Sequence, residues 1–119
     1  MFEKTSVKSF VVPNGASGSA VAAVDLGANC KAITLRCADC AGIPAGTTLG
    51  VFAAEDAGDA LCAAYSGDTG AILAYGMPVT GTWRMAVGDL FGARRLRLVL
   101  SANVTADTTF EVVGIDAGM

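Results

Sequence analysis

Hydrophobic and polar residues alternate along parts of this chain with the period of two that is typical of β-strands. The alternation occurs in residues 31–37, 82–87 and 93–100. In the last stretch, Leu96, Leu98 and Leu100 share one face, whereas Arg95 and Arg97 share the other. Each stretch therefore predicts a half-buried strand. The core-facing positions of the first two stretches would be Ile33, Leu35, Cys37, Trp83, Met85 and Val87.

Other apolar and β-branched runs lie between glycine-rich or polar clusters that predict turns. These runs are residues 5–12, 20–26, 49–54, 61–65, 71–75 and 108–115. The last run is apolar on both faces, which predicts a central strand or one covered by a neighbour. Residues 61–65 include good helix formers, so a short helix is the alternative there. The whole pattern predicts an all-β chain of eight or nine short strands.

Strands of this length and spacing favour a two-sheet sandwich of jelly-roll or Greek-key type over a barrel. The chain has 119 residues, and we expect residues 1–119 to form a single sandwich domain. Charged residues make up 16% of it and hydrophobic residues 53%, whereas an ordinary soluble domain has about 25% charged residues. So sparse a charged surface predicts self-association. The alternative is that many small residues raise the hydropathy without making the surface adhesive.

The residue types present restrict the chemistry of the chain. It contains no histidine, which excludes imidazole-based catalysis and histidine-ligated metal sites. No glycine loop is followed by the lysine and hydroxyl residue of a phosphate-binding motif. We therefore predict that the protein is not an enzyme and uses no cofactor.

The four cysteines form half of a zinc signature. Cys37 and Cys40 have C-x-x-C spacing, whereas Cys30 and Cys62 are isolated. A strong zinc site would show two such pairs. Cys37 also falls on the core-facing side of its predicted strand, so we favour buried thiols, with a metal site or a disulfide as the alternatives.

Charged side chains cluster in two places. The acidic cluster is Glu55, Asp56, Asp59 and Asp68, whose spacing fits solvated turns better than a calcium loop. The chain has 8 basic and 11 acidic residues, and this negative balance argues against nucleic-acid binding through its arginines. An outward row containing Arg95 and Arg97 would instead keep the sheet soluble or pair with acidic groups of a neighbouring subunit.

Three aromatic residues define an alternative binding site. Tyr65 and Tyr75 flank the loop at residues 66–70 and could form a small rim. Trp83 alternates with apolar residues, which favours a core anchor over a sugar platform. The rival hypothesis is therefore a carbohydrate- or ligand-binding sandwich module, such as a receptor-facing virion domain, that uses these three side chains and the residues of the acidic cluster.

The last quarter of the chain carries a family resemblance. The run from Phe91 to Ser101 and the run from Thr108 to Asp116 resemble the closing strands of head decoration or accessory sandwich domains of tailed bacteriophages. The resemblance implies a symmetric oligomer, such as a trimer or a ring. It also implies that the oligomer sits on capsid or tail subunits and stabilises the particle without chemistry.

Our leading hypothesis is a capsid decoration (cement) protein of a phage virion. Its partners would be copies of itself and other virion subunits, with neither nucleic acid nor membrane involved. Residues 1–12 could form an arm between subunits that adds a strand to a neighbour's sheet, with Phe2, Val7 or Phe10 filling pockets. The first residues show no secretory signal, which predicts synthesis in the host cytoplasm.

Overall fold

A computed structural model describes residues 5–19 and 23–116 of the chain. This part folds into nine β-strands and one short 3-10 helix at Gly88–Leu90. The strands are β1 (Thr5–Val12), β2 (Val24–Asp25), β3 (Cys30–Cys37), β4 (Thr48–Ala54), β5 (Cys62–Ala63), β6 (Ala74–Gly76), β7 (Trp83–Ala86), β8 (Arg95–Leu100) and β9 (Thr108–Asp116).

The strands form two antiparallel sheets. Sheet A has the order β1-β9-β3-β7, and sheet B has the order β2-β8-β4-β5. Strand β6 pairs with β4 at Thr48–Gly50, while β5 pairs with β4 at Phe52 and Ala53. The two short strands therefore occupy one edge of β4 as a single interrupted strand. With four strand positions in each sheet and a chain that crosses between the sheets, the topology is a jelly roll, which confirms the predicted fold class.

The core lies between the sheets and follows the predicted alternation. Leu96, Leu98 and Leu100 are buried, as are Ile33 and Leu35. Of the inward set predicted for residues 82–87, Val87 is buried, whereas Trp83 and Met85 are half-buried because β7 lies at the edge of sheet A. The prediction that the last apolar run is a central strand is confirmed, since β9 pairs with β1 on one side and β3 on the other.

Sheet B differs most from the predicted strand lengths. The run predicted at 61–65 pairs only at Cys62–Ala63, and the run at 71–75 is replaced by Ala74–Gly76. Between them the chain turns back on itself through an isolated bridge from Tyr65 to Ile72 and the hydrogen bond from Ser66 N to Ala71 O. This turn interrupts β-pairing, and the helix considered for 61–65 does not form. Of the strand predicted at 20–26, the described residues contain Val24–Asp25, and residues 20–22 lie outside them.

One glycine is required by close packing in the core. A Cβ atom at Gly114 on β9 would lie 2.6 Å from Cys30 Sγ and 3.0 Å from Leu26 Cδ1. Real Cβ atoms essentially never come within 3.0 Å of another heavy atom, so the contact with Cys30 Sγ would force a shift, and both neighbours are buried. Glycine at this position therefore lets β9 lie against the segment that enters β3.

No helix in the described ranges is long and apolar enough to cross a membrane.

Candidate functional site

The outer face of sheet A along β1 carries few charged side chains. The register of β1 with β9 places Thr5, Val7, Ser9 and Val11 opposite Ile115, Val113, Glu111 and Thr109 on the side away from the core. Val7 is 57% exposed and Val11 48% exposed. We call these eight residues the β1 face. Four of them are valine or isoleucine, three carry hydroxyl groups, and Glu111 is the one charged residue.

The backbone edge of β1 is open and regular. Its eight residues pair one to one with β9, without a bulge, and no proline interrupts the strand. On the other side of β1, no strand pairs with it within the described ranges 5–19 and 23–116. Proteins commonly protect such edges with bulges, prolines or inward charges, because unpaired amides and carbonyls are templates for another strand. Lys8, the one charged residue of β1, is exposed although the alternation puts it on the same side as Phe10 and Val12, so it is the single inward charge on this edge.

The opposite edge of sheet A is shorter and charged. Arg84 on β7 lies directly opposite Arg36 on β3, an arrangement of like charges that disfavours close cross-strand contact. Arg36 also forms a 3.7 Å ion pair with Glu111, whereas Arg84 is exposed. Because β7 has four residues and carries this charge, it is a poorer template for another strand than β1.

The residues predicted for an intersubunit arm lie in different environments. Val7 is exposed on the β1 face, but the Phe10 ring stacks on the buried Phe110 ring with centroids 5.7 Å apart. While β1 stays paired in its own sheet, Phe10 is therefore engaged within the subunit. Phe2 lies outside the described residues. The arm itself stays a prediction, and residues 5–12 form an edge strand of the subunit.

A cavity of about 350 Å³ opens beside sheet B. Its apolar lining is formed mostly by alanines together with Leu90, and two aromatic rings, those of Tyr65 and Phe91, stand at its walls. Tyr65 is 61% exposed and Phe91 70% exposed. The lining residues are Ala53, Ala54, Glu55, Asp59, Ala60, Cys62, Ala64, Tyr65, Asp89, Leu90, Phe91 and Ala93.

Side-chain hydrogen bonds hold the loops around this cavity. The Asn29 amide donates to Glu55 O and Gly92 O, which ties the end of β4 to the loop that carries Phe91. Asp89 Oδ1 accepts a 3.0 Å hydrogen bond from Gly67 N, so the 3-10 helix is joined to the turn after Tyr65. The cavity is therefore built from loops fixed to each other.

Arg95, on the outer face of sheet B, binds the loop between β4 and β5, which we call the acidic loop because it carries Glu55, Asp56 and Asp59. Its Nη1 donates to Ala57 O at 3.0 Å and to Asp59 O at 2.8 Å. The prediction that Arg95 pairs with a neighbouring subunit stays untested, but the structure shows this guanidinium engaged by main-chain oxygens of its own chain. Arg97 lies opposite Phe52 in the ladder between β8 and β4.

The cavity carries negative charge. Glu55, Asp59 and Asp89 line it, and no lysine or arginine does. Two of these belong to the acidic cluster noted in the sequence, whereas Asp56 and Asp68 lie outside the lining. Sequence reasoning missed both Asp89 and Phe91. The available signal was an aromatic residue followed directly by glycine in a turn, a position where a large side chain is not needed for the core.

The three aromatic residues of the rival hypothesis do not share one cavity. Tyr65 lines it, but Tyr75 and Trp83 are half-buried and pack against the core from different sheets. Burial and the nearby Asp89 charge raise the pKa of Tyr75. Of the predicted set, only Tyr65 is placed where a ligand in the cavity could contact it.

Three cysteines are buried and one is exposed. Cys30, Cys37 and Cys40 lie in the core, while Cys62 lines the cavity, and all four are free thiols. Burial and a hydrogen bond with Cys40 raise the pKa of Cys37 to about 12, which makes it a poor nucleophile at neutral pH. Within the described ranges, no three cysteine or acidic side chains are grouped closely enough to hold a metal ion. The four-cysteine zinc site considered for the sequence is therefore not assembled.

Comparisons with known proteins give a similar fold but no family. No model of a known protein family matches the chain, and no curated protein sequence matches it. The crystal structure of YomS, a protein derived from the SPBc2 prophage, is similar with a TM-score of 0.52 and 14% identity, covering 95% of this chain and 96% of that one. The resemblance at this identity is one of fold.

A second structure comes from the disulfide-linked pili of Bacillus endospore appendages. It covers 98% of this chain and 88% of its own, with 10% identity and a TM-score of 0.34. At that TM-score the likeness carries no argument about this protein.

Proposed function

We propose that this protein is a structural component of a phage virion that acts by associating as a folded subunit, and that its specific role is capsid decoration. The observation that carries the proposal is the open β1 edge beside the exposed Val7 and Val11 on a jelly roll with few charges. The similarity in fold to a prophage-derived protein supports the phage context. Association would be the activity, and no chemical step is involved.

The β1 edge suits pairing with a second copy of the chain. Two antiparallel β1 strands related by a two-fold axis would join the four-stranded sheets A of two subunits into one continuous sheet. Main-chain hydrogen bonds would give affinity, and burial of the valines would add roughly 25 cal/mol for each Å² of apolar surface removed from water. Such pairing gives a dimer. A trimer, which the sequence resemblance implies, would need a different edge and stays a prediction.

Sedimentation velocity of the purified protein tests this pairing. We expect concentration-dependent association of the unmodified chain. Val7→Lys and Val11→Lys should each raise the dissociation constant at least about tenfold, because each places a charge on the apolar contact. Val79→Lys is the matched control, since Val79 is 47% exposed but lies outside β1. A chain that stays monomeric at several hundred micromolar, or equal effects of all three substitutions, would contradict the pairing.

The capsid role requires a separate experiment on particles. Mass spectrometry of purified virions of the phage that encodes the chain should find the protein in many copies. Electron cryomicroscopy should place it on the outside of the head shell. Absence from purified particles would contradict the virion assignment, and a position on the tail would contradict decoration of the capsid.

A ligand-binding module is a second candidate, favoured by the cavity with its two exposed aromatic rings. Its volume lies at the small end of the range for ligand pockets. A panel of free sugars tested by amide chemical-shift perturbation would support a carbohydrate module if shifts concentrate at Tyr65 and Phe91. Shifts confined to other surfaces, or none at all, would contradict it.

A further inference from the structure

We propose that the cavity beside sheet B binds an arginine or lysine side chain presented by a protein partner. This inference concerns a different surface from the β1 edge, and it holds whether or not the subunits pair there. It rests on three features of the cavity: the sign of its charge, the exposed aromatic rings and the apolar lining. Each feature favours one part of a long cationic side chain.

The charge of the cavity favours a cation. Three carboxylates line it without any basic side chain. Among the described residues, the carboxylates of Glu55 and Asp59 have no hydrogen bond or ion pair. Asp59 does accept a hydrogen bond from Arg95, but through its main-chain oxygen. Asp89 uses Oδ1 to accept from Gly67 N, which leaves Oδ2 for a ligand. Like charges around a partly enclosed space repel one another, and a bound cation would relieve that repulsion.

The aromatic rings favour an organic cation. Tyr65 and Phe91 are the most exposed aromatic side chains in the described part of the chain. A guanidinium or ammonium group over such a ring face gains about 0.5–2 kcal/mol, depending on how far it is desolvated. Large aromatic side chains left exposed at the mouth of a pocket also match the usual composition of protein interaction sites.

The apolar lining favours a side chain with a long hydrocarbon stem. The alanines and Leu90 present small apolar surfaces, on which the methylene groups of lysine or arginine can pack while the charged end meets the carboxylates. A cavity of about 350 Å³ accommodates one such side chain rather than a folded element.

Other ligands satisfy fewer of these features. A metal ion needs closely grouped ligands, and the described residues contain no group of three acidic or cysteine side chains that could hold one. An anion would be repelled by the three carboxylates. A neutral sugar could stack on Tyr65 or Phe91 but would leave the carboxylates without a counter-charge.

Two small probes that differ by one charge test the proposal. N-acetyl-arginine amide is cationic, and its citrulline analogue is a neutral molecule of nearly the same shape. In amide chemical-shift titrations of the full chain, we expect the arginine probe to bind with a dissociation constant on the order of a millimolar. The citrulline probe should bind at least about tenfold more weakly, and added salt should weaken only the arginine probe.

Paired substitutions locate the binding. Phe91→Ala and Asp59→Asn should each weaken the arginine probe about fivefold to tenfold, because they remove a ring face and a carboxylate. The matched controls are Val79→Ala and Asp68→Asn, which change an exposed apolar and an exposed acidic residue outside the lining. Unchanged spectra of the unliganded variants would show that each still folds.

Three outcomes would overturn the proposal: equal binding of the two probes, equal losses in the control variants, or binding of sugars in place of the arginine probe. The result is separable from the pairing of β1. A Val7→Lys variant should bind the arginine probe normally, so failure of either proposal leaves the other testable.

Discussion

The two sheets of this jelly roll are built from strands of very different regularity. In sheet A, β1 and β3 have eight residues and β9 has nine, whereas in sheet B, β2 and β5 have two and β6 has three. A long regular ladder leaves a long regular edge. An interrupted one leaves loops between its pieces, and here Ala64 and Tyr65 of such a loop line a cavity together with residues from the ranges 53–62 and 89–93. The proposed strand pairing and the proposed cation binding therefore use two different parts of the fold.

Charged side chains are also distributed differently between sheet A and sheet B. In sheet B, Arg94 pairs with Asp25 at 3.0 Å, and Arg95 donates to two main-chain oxygens of the acidic loop. Both arginines therefore bind groups of their own subunit. The β1 face of sheet A carries exposed valines instead, and Glu111 is its one charged residue. In the proposed pairing, the β1 face of sheet A would be the surface that a second copy covers.

The largest expected effect concerns the attachment of β1 to sheet A. Phe110→Ala should lower the free energy of unfolding by about 3–5 kcal/mol, because the ring is fully buried and its loss leaves a cavity. Phe10→Ala should cost less, since Phe10 is half-buried on the edge strand. Urea denaturation followed by circular dichroism measures both. A larger loss for Phe10→Ala would show that β1 belongs to the core rather than to the edge.

The next effect concerns the packing of β9 on the segment before β3. Gly114→Ala should destabilise the fold by about 1–3 kcal/mol, because its methyl group meets Cys30 Sγ. In the same urea experiment, combining it with Cys30→Ala should cost less than the sum of the two single changes. Strictly additive losses would contradict the proposed contact.

A smaller and local effect is expected in sheet B. Arg95→Ala should cost about 1–2 kcal/mol by removing two hydrogen bonds to the acidic loop. Hydrogen exchange should accelerate at residues 55–61 without change in β1 or β9. Arg84→Ala is the control, because Arg84 is exposed and forms no ion pair or hydrogen bond within the described residues. Exchange that accelerates equally in both variants would refute the role of Arg95.

The smallest effect is the pH dependence contributed by Asp25. Hydrogen bonds from Gly27 N and from Arg94 lower the pKa of Asp25 below its ordinary value of 3.8. Because the pKa is lower in the folded state, the stabilisation is present above pH 3.8 and is lost as the pH falls through the folded value. Asp25→Asn should therefore lower stability by roughly 0.5 kcal/mol at pH 7 and by nothing at the acid end. A constant difference at all pH values would rule out the charge as its source.

Periodicity predicted the regular parts of this fold well. The alternation around Leu35 and Leu98 gave both the strands and their buried faces, because those side chains face the core at every second position. The two-sided apolar pattern around Val112 and Val113 correctly indicated a central strand. In sheet B the same reasoning overestimated strand length, since alanine and glycine carry little information on which face is buried.

The candidate sites were harder to predict from the sequence. An open edge depends on strand order, which periodicity alone does not contain. The sequence nevertheless predicts Val7 as a contact residue between subunits. The cavity is lined by both Tyr65 and Phe91, residues far apart in the chain, and the hydrogen bonds of Asn29 and Asp89 join the loops that carry them. The alternation around Trp83, the only tryptophan, predicted a core anchor, and in the structure it lies opposite Cys37 in sheet A and packs against the core.

Hydrogen exchange of the β1 amides as a function of protein concentration tests the central claim most directly. Alternate amides of Thr5–Val12 point away from β9 and have no strand partner in the described subunit. We predict that these amides exchange rapidly in dilute protein and become protected as the concentration rises, while the amides that face β9 stay protected throughout. Protection that does not change with concentration, or that appears on β7 instead, would contradict association through the β1 edge.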